Sequence, residues 1–262
     1  MPVRLDQPDR TPLVVSPLTL VVFQLRFETN AAAGDARVAR DFHQRLGGRE
    51  GRYPVIEPVT TLSVQLAGAP GQEPSVSQSA SMGGWRFRSD DSSWVVALLA
   101  DTLSLETTQY DAWEPFQERL RELIEAFREL VNPVFEQRLG LRYVNQVTID
   151  EVREPRDWEQ WIDPFILGPA LHPQIREGLI FSRQQLGLEI ADEASCTLGH
   201  GSFPRADGEG LAYLLDYDVY RQTGRPFELD DIMGTAARFN DIALALFLMS
   251  VTPEYVERAR TR

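Results

Sequence analysis

The sequence predicts an α+β fold made of two similar halves, each an antiparallel sheet with a long helix packed on one face. Three observations predict it. Short stretches alternate apolar and polar residues, the period of a half-buried strand. Two long segments carry apolar residues at three- and four-residue steps, the period of a helix with one buried stripe. The order strand, helix, several strands, long helix occurs twice along the 262 residues. The halves divide at 1–133 and 134–262 and are expected to form one compact unit.

After a proline-containing leader, Leu18 to Glu28 alternates, with Thr19, Val21, Phe23, Leu25 and Phe27 on one face and Gln24, Arg26 and Glu28 on the other. Ala33 to Leu46 forms a short helix stopped by Gly47-Gly48. Thr60 to Leu66 alternates again, and Ala67 to Gly83, rich in Gly, Pro, Ser and Gln, reads as a mobile loop. A meander follows: Trp85 to Arg88, then Trp94 to Leu99 after the turn Asp90-Asp91-Ser92-Ser93, then Leu103 to Thr108. The clearest element is the helix from Asp111 to Val131, with Trp113, Phe116, Leu120, Leu123, Phe127 and Leu130 in one stripe and Asn132-Pro133 ending it.

In the second half Arg138 to Ile149 is a strand and Asp157 to Leu167 a helix. Strands are expected at Ile175 to Ile190, Ala194 to Leu198 and Gly210 to Tyr220. Leu229 to Val251 is the second long helix, and Thr252-Pro253 opens a short terminal one, threonine as cap and proline in the first turn.

Composition narrows the function classes. The net charge is −13, so a nucleic acid would meet repulsion, and no dense basic tract offsets it. All 26 basic residues are arginine. Without lysine there is no Schiff-base lysine and no P-loop or kinase-type phosphate lysine. The apolar runs fall short of a membrane span, and the N-terminus lacks the apolar stretch of a signal peptide. The single cysteine, Cys196, excludes an internal disulfide and sits in a predicted strand as a small core residue. The expected location is the cytoplasm.

Three segments hold candidate chemistry. In Arg138-Leu-Gly-Leu-Arg-Tyr-Val-Asn145 the face Leu139, Leu141, Tyr143, Asn145 is apolar but for Asn145, whose amide needs partners if buried; Arg142 points the other way. In Leu211-Ala-Tyr-Leu-Leu-Asp-Tyr-Asp-Val-Tyr220, Asp216 and Asp218 share a face. Paired carboxylates suit acid–base work or a divalent cation, and equally a structural cluster with Arg142 on a neighbouring strand. Gly199-His-Gly-Ser202 places a histidine and a serine in a predicted loop but is not a nucleophile elbow. The three histidines, His43, His172 and His200, have no metal-ligand spacing, and no strand-to-helix glycine turn matches a dinucleotide fingerprint. No cofactor and no metal are expected. Any of the five tryptophans, Trp85, Trp94, Trp113, Trp158 and Trp161, could line a cavity, and nothing in the sequence selects one.

The strand motif Arg138 to Asn145, preceded by Tyr110-x-x-Trp113 and its helix, resembles a sporadically distributed family of uncharacterised bacterial proteins of about this length. Leu214-Leu-Asp-Tyr-Asp218 and Phe247-Leu-Met-Ser-Val-Thr-Pro253 look like the same family. That family usually carries a histidine in its last long helix; here the stretch Arg238 to Phe247 has none. The resemblance implies a bacterial source and a patchily distributed accessory gene, and no activity. Two functions are expected from different classes. The first is a non-enzymatic accessory protein, immunity- or antitoxin-like, whose acidity suits a basic protein partner. The second is a small-molecule binder or unrecognised enzyme with a pocket between sheet and helix, for which Arg142, Asn145, Asp216 and Asp218 are the binding candidates. Neither involves nucleic acid or membrane.

Overall fold

The alternating segment near the N-terminus becomes the middle of the sheet. The computed structural model describes residues 1–67 and 75–261. In chain order the first half holds β1 (Leu18–Phe27), α1 (Ala36–Arg45), β2 (Val55–Ala67), β3 (Ser75–Arg88), β4 (Trp94–Leu99), β5 (Thr102–Thr107) and α2 (Trp113–Val131). The second holds β6 (Phe135–Thr148), α3 (Pro164–Leu167), α4 (Pro173–Arg176), β7 (Gln184–Ile190), β8 (Ala194–Pro204), β9 (Leu211–Arg221), β10 (Arg225–Pro226), α5 (Leu229–Ser250) and α6 (Pro253–Thr261). The class is α+β with a large antiparallel sheet, as the alternation and the two long amphipathic stretches predict.

Among the described residues there is one ten-stranded sheet, in the order β2-β3-β4-β5-β1-β6-β9-β8-β7, with β10 against the start of β6. The sequence leaves open whether the halves form one sheet or two; β1 and β6 pair antiparallel, Phe23 opposite Leu141 and Val21 opposite Tyr143, and so join them. The expected division at residue 133 therefore cuts the chain between α2 and β6 but not the sheet. Asn132 ends α2 in the left-handed conformation at φ 51°, which asparagine tolerates, and Pro133 prevents continuation.

One face of the sheet is dry. Val21, Phe23, Leu25 and Phe27 of β1 and Leu139, Leu141 and Val147 of β6 are buried beneath α2 and α5. Phe127 of α2 meets Phe27 with ring centroids 4.8 Å apart. By length and composition α5 is apolar enough to cross a membrane, which corrects the expectation that the apolar stretches fall short of a span. Its residues Ile232, Phe239, Ala243 and Leu246 are buried in the protein core. The other face carries the polar half of each alternation, including Gln24, Arg138, Arg142, Asp216 and Asp218.

Four stretches depart from the sequence expectation, each for a local reason. The expected loop Ala67 to Gly83 is a strand from Ser75 on, paired to β2 from Ser75 opposite Ala67; residues 68–74 lie outside the described ones. The expected helix 157–167 is broken, because Pro164 cannot donate a helical hydrogen bond and Asp163 instead caps a new turn through Phe165 N, 3.0 Å. The expected strand 175–190 begins only at Gln184; the turn after His172-Pro173 is helical. Gly199 to Ser202 is not a loop but the middle of β8. Its glycine is required by a neighbouring segment: a Cβ on Gly201 would fall on the Ser182 carbonyl oxygen. Ser182 N donates to Ser202 O at 2.9 Å across the same contact.

Candidate functional site

The motif Arg138 to Asn145 explains itself once β6 is seen beside β9. Arg142 lies opposite Asp218 and Val144 opposite Asp216, so both aspartates share the outer face with the arginines. Arg142 grips Asp216 with two hydrogen bonds, Nε to Oδ1 at 2.7 Å and Nη2 to Oδ2 at 2.6 Å. Arg138 grips Asp218 at 2.9 and 2.7 Å and also donates to Gln24 Oε1 at 3.0 Å. Gly140 is the space this needs: a Cβ there would strike the Arg138 guanidinium. Of the four candidate binding residues, Arg142 and Asp216 thus satisfy each other and Asp218 is held by Arg138, all on the face away from the helices. The Arg142 side chain is 48% exposed, so water screens the pair. Arg142→Ala is expected to cost less than about 1 kcal/mol by urea denaturation. A loss several times larger would mean that the outer face is covered by something.

The Gly199-His-Gly-Ser202 candidate is likewise spent on structure. Trp158 Nε1 donates to Ser202 Oγ at 2.9 Å, and His200 Nδ1 lies 3.2 Å from the Tyr213 hydroxyl with the two rings stacked. Burial lowers the His200 pKa below the ordinary imidazole value. Its neutral form therefore contributes stability that is fully present above the ordinary imidazole pKa and is lost as pH falls toward the depressed one, about 1.4 kcal/mol per unit of depression. Thermal melts from about pH 7.5 to 5.5 are expected to show a larger drop in Tm for the wild type than for His200→Gln. Equal drops would show that the imidazole titrates freely in the fold. Cys196 is a buried core residue whose thiol burial pushes up to about 12, too high for a nucleophile near neutrality.

Asn145, the fourth candidate, faces the other way and lines a cavity of about 320 Å³. Four parts of the chain build it. β6 contributes Tyr143 and Asn145. The turn into α2 and its first residues contribute Tyr110, Asp111, Trp113 and Glu114. α5 contributes Asn240, Ala243, Leu244, Phe247 and Leu248, a stripe at three- and four-residue steps, and the leader from Asp9 to Leu18 forms the remaining wall. The leader is strapped down at several points. Arg10 pairs with Asp241 of α5, Arg260 of α6 reaches Asp9 at 2.6 Å, Val15 N donates to Ala259 O at 3.0 Å, and Gln146 N donates to Pro17 O at 2.8 Å. The Thr11 amide and hydroxyl, with Arg260, hold the Asp9 carboxyl down to about 2.

Inside, the polar groups are uncharged. Tyr143 OH donates to Asn240 Oδ1 at 2.7 Å, and Tyr110 OH lies 3.5 Å from both Tyr143 OH and Asn240 Oδ1. Burial pushes the Tyr110 phenol up to about 12 and Tyr143 well above its ordinary value, so both remain protonated donors. Asn145 is 6% exposed and makes one hydrogen bond among the described residues, Nδ2 to Leu215 O at 3.2 Å. Its Oδ1 and second N–H are left over. Of the five tryptophans it is Trp113 that lines the cavity; Trp158 is fully buried elsewhere. Tyr110, Asn240 and the leader were not among the sequence candidates, since each sits far along the chain from Asn145. A wider groove of about 790 Å³ between α3, α5 and α6 is more open, and the Asp9–Arg260 pair on its rim is already closed.

No protein-family model matches the chain, and no curated protein does. Among solved structures the chain is similar to the di-domain ARO/CYC StfQ from the steffimycin biosynthetic pathway, at 7% identity over 91% of this chain and 98% of that one, with a TM-score of 0.18. A superposition that loose carries no argument about fold or function.

Proposed function

We propose that this is a small-molecule-binding protein whose ligand occupies the cavity between β6, the first turn of α2, α5 and the leader. The observation that supports it is the Asn145 carboxamide, buried in the cavity wall with most of its hydrogen-bonding capacity unused. Its Oδ1 opens onto the cavity instead of being sealed from solvent, so it is available to a ligand that displaces water there. The lining supplies tyrosine hydroxyls and carboxamides around apolar and aromatic walls, groups that orient a ligand, and it contains no histidine or cysteine.

The test is affinity purification of the tagged chain from its native cells, followed by mass spectrometry of the intact complex and of extracted small molecules. A small molecule retained in stoichiometric amount is the expected result. A stoichiometric protein partner with no small molecule would replace this function with the alternative one.

That alternative, an accessory protein of a bacterial system with a basic protein partner, has one observation in its favour. Ile180 and Phe181, shortly before the edge strand β7, are exposed, as are Leu186 on that strand and Ile175 in α4, and the chain carries a net charge of −13. An immunity- or antitoxin-like role would use that surface.

The two halves we take to be related units. β1, α1, the meander β2 to β5 and then α2 follow the same order as β6, the short α3 and α4, the meander β7 to β9 and then α5, with three meander strands where the first half has four, and β1 and β6 are neighbours at the sheet centre. Superposing 18–131 on 135–250 with β1 laid on β6 tests this. The long helices should then overlay, and helices landing on opposite faces of the sheet would dismiss it.

A further inference from the structure

Resting on that binding function, we propose that the cavity takes a compact, uncharged ligand with a ring amide edge, a carbonyl beside an N–H, as in a lactam, a cyclic imide or a nucleobase. Three features of the cavity carry this. The first is the absence, among the described residues, of any free positive charge in its lining. Arg10, the one cationic residue there, is engaged by Asp241.

The second is the sign of the charge that remains. Asp111 and Glu114 stand exposed at the mouth, and neither is in an ion pair among the described residues. The first turn of α2 has no side-chain cap, and its amides would attract an acceptor. A helix N-terminus, however, is equivalent to only about half a positive charge, against two full carboxylates. The balance therefore repels a carboxylate or phosphate and still favours a neutral carbonyl.

The third is the pattern of donors and acceptors. Asn145 offers an acceptor, Oδ1, and one remaining donor on the same carboxamide, complementary in kind to the donor and acceptor of an amide edge. The Nδ2 of Asn240 makes no hydrogen bond among the described residues, because the tyrosines use only its oxygen. Trp113 and Phe247 supply flat apolar walls. A volume of about 320 Å³ sits at the small end of ligand cavities and suits one or two rings.

The experiment follows the side-chain amide signals of Asn145 and Asn240 in ¹H–¹⁵N spectra of the full chain, each assigned by its disappearance in Asn145→Asp or Asn240→Asp. The probes are uracil and 2-pyrrolidone, with benzoate, inorganic phosphate and benzylamine as charged comparisons. Uracil or 2-pyrrolidone should shift both signals at concentrations where the charged compounds do not. Asn145→Asp should weaken that binding by about tenfold or more. Should Asn145→Asp fail to fold, Ala243→Phe, which fills the cavity, serves in its place and should abolish the shifts. Benzoate, phosphate or benzylamine binding more tightly at these two residues would overturn the ligand class while leaving the cavity a binding site. Shifts that persist unchanged in the cavity-filled variant would place the probes elsewhere and overturn the proposal. No response to any probe overturns the class as well, and the binding function then stands or falls on the co-purification result.

Discussion

Replacing Arg221 with methionine is expected to lower the unfolding free energy by about 3–5 kcal/mol. Arg221 is 2% exposed at the end of β9, and Glu136, at the start of β6, is fully buried. Arg221 Nε donates to Glu136 Oε1 at 2.7 Å, Nη1 donates to Thr235 Oγ1 at 2.8 Å, and Nη2 also reaches Asp231 in the first turn of α5. One guanidinium thus ties β6 and β9 to α5, the long helix that covers them. Among the described residues Glu136 Oε2 has no hydrogen-bond partner, so the carboxylate depends on Arg221 for what compensation it has. Burial raises the Glu136 pKa above the ordinary carboxylate value despite the guanidinium beside it, which marks desolvation as the larger effect. Breaking such a pair is far worse than never having had it, because one charge stays behind in the dry interior. Glu136→Gln, which keeps an acceptor and removes the charge, should cost only about 1–2 kcal/mol. The double variant Arg221→Met with Glu136→Leu should recover most of the loss. The pH dependence follows from the raised value. A carboxyl whose folded-state pKa lies above its unfolded one stabilises the fold at low pH and loses that contribution as pH rises through the folded value. Without the guanidinium the value rises further, so Arg221→Met should lose less stability near pH 5 than near pH 7. Urea titrations at the two pH values check all four expectations. A single-variant cost below about 1 kcal/mol would mean that water reaches the pair.

Much of this architecture was legible because it rests on local rules. The alternation of Val21, Phe23, Leu25 and Phe27 and the stripe of α2 predict strand and helix within a few residues. Asn145 was legible as a polar residue on an apolar row that must find a partner, and the pairing of Arg142 with an aspartate follows once two strands are neighbours. The joining of the halves was not legible, because nothing in Phe23 or Leu141 states which strand it will face. Nor was the cavity, whose walls come from near residues 10, 110, 145 and 240, each unremarkable alone. Glycines misled in one case: Gly199 and Gly201 look like a loop, yet Gly201 is glycine because the backbone of residues 182 and 183 crosses it. Glu136 and Arg221 were passed over for a related reason. A charge at a strand end usually means solvent, and only the arrival of α5 over both residues makes them core.

Filling the cavity separates function from stability, because the two should move in different directions there and together elsewhere. Ala243 lies on the cavity stripe of α5, between Asn240 and Phe247. In Ala243→Phe the new ring would enter the space between the leader and Trp113, gaining roughly 1–2 kcal/mol from apolar burial against about 1–3 kcal/mol of packing strain. The net change in stability should be small, within about 1.5 kcal/mol. Retention of the bound small molecule should nevertheless be lost. Phe239 is the control one helical turn away, fully buried in the core. Phe239→Ala should cost about 3–5 kcal/mol by leaving a void that the sheet cannot close, and whatever fraction remains folded should still bind. If both variants lose stability to the same degree, the space beside Ala243 is already packed and the cavity is no vessel for a ligand. If Ala243→Phe is stable and still retains the molecule, the ligand sits elsewhere, and the unused capacity of Asn145 is met by water instead.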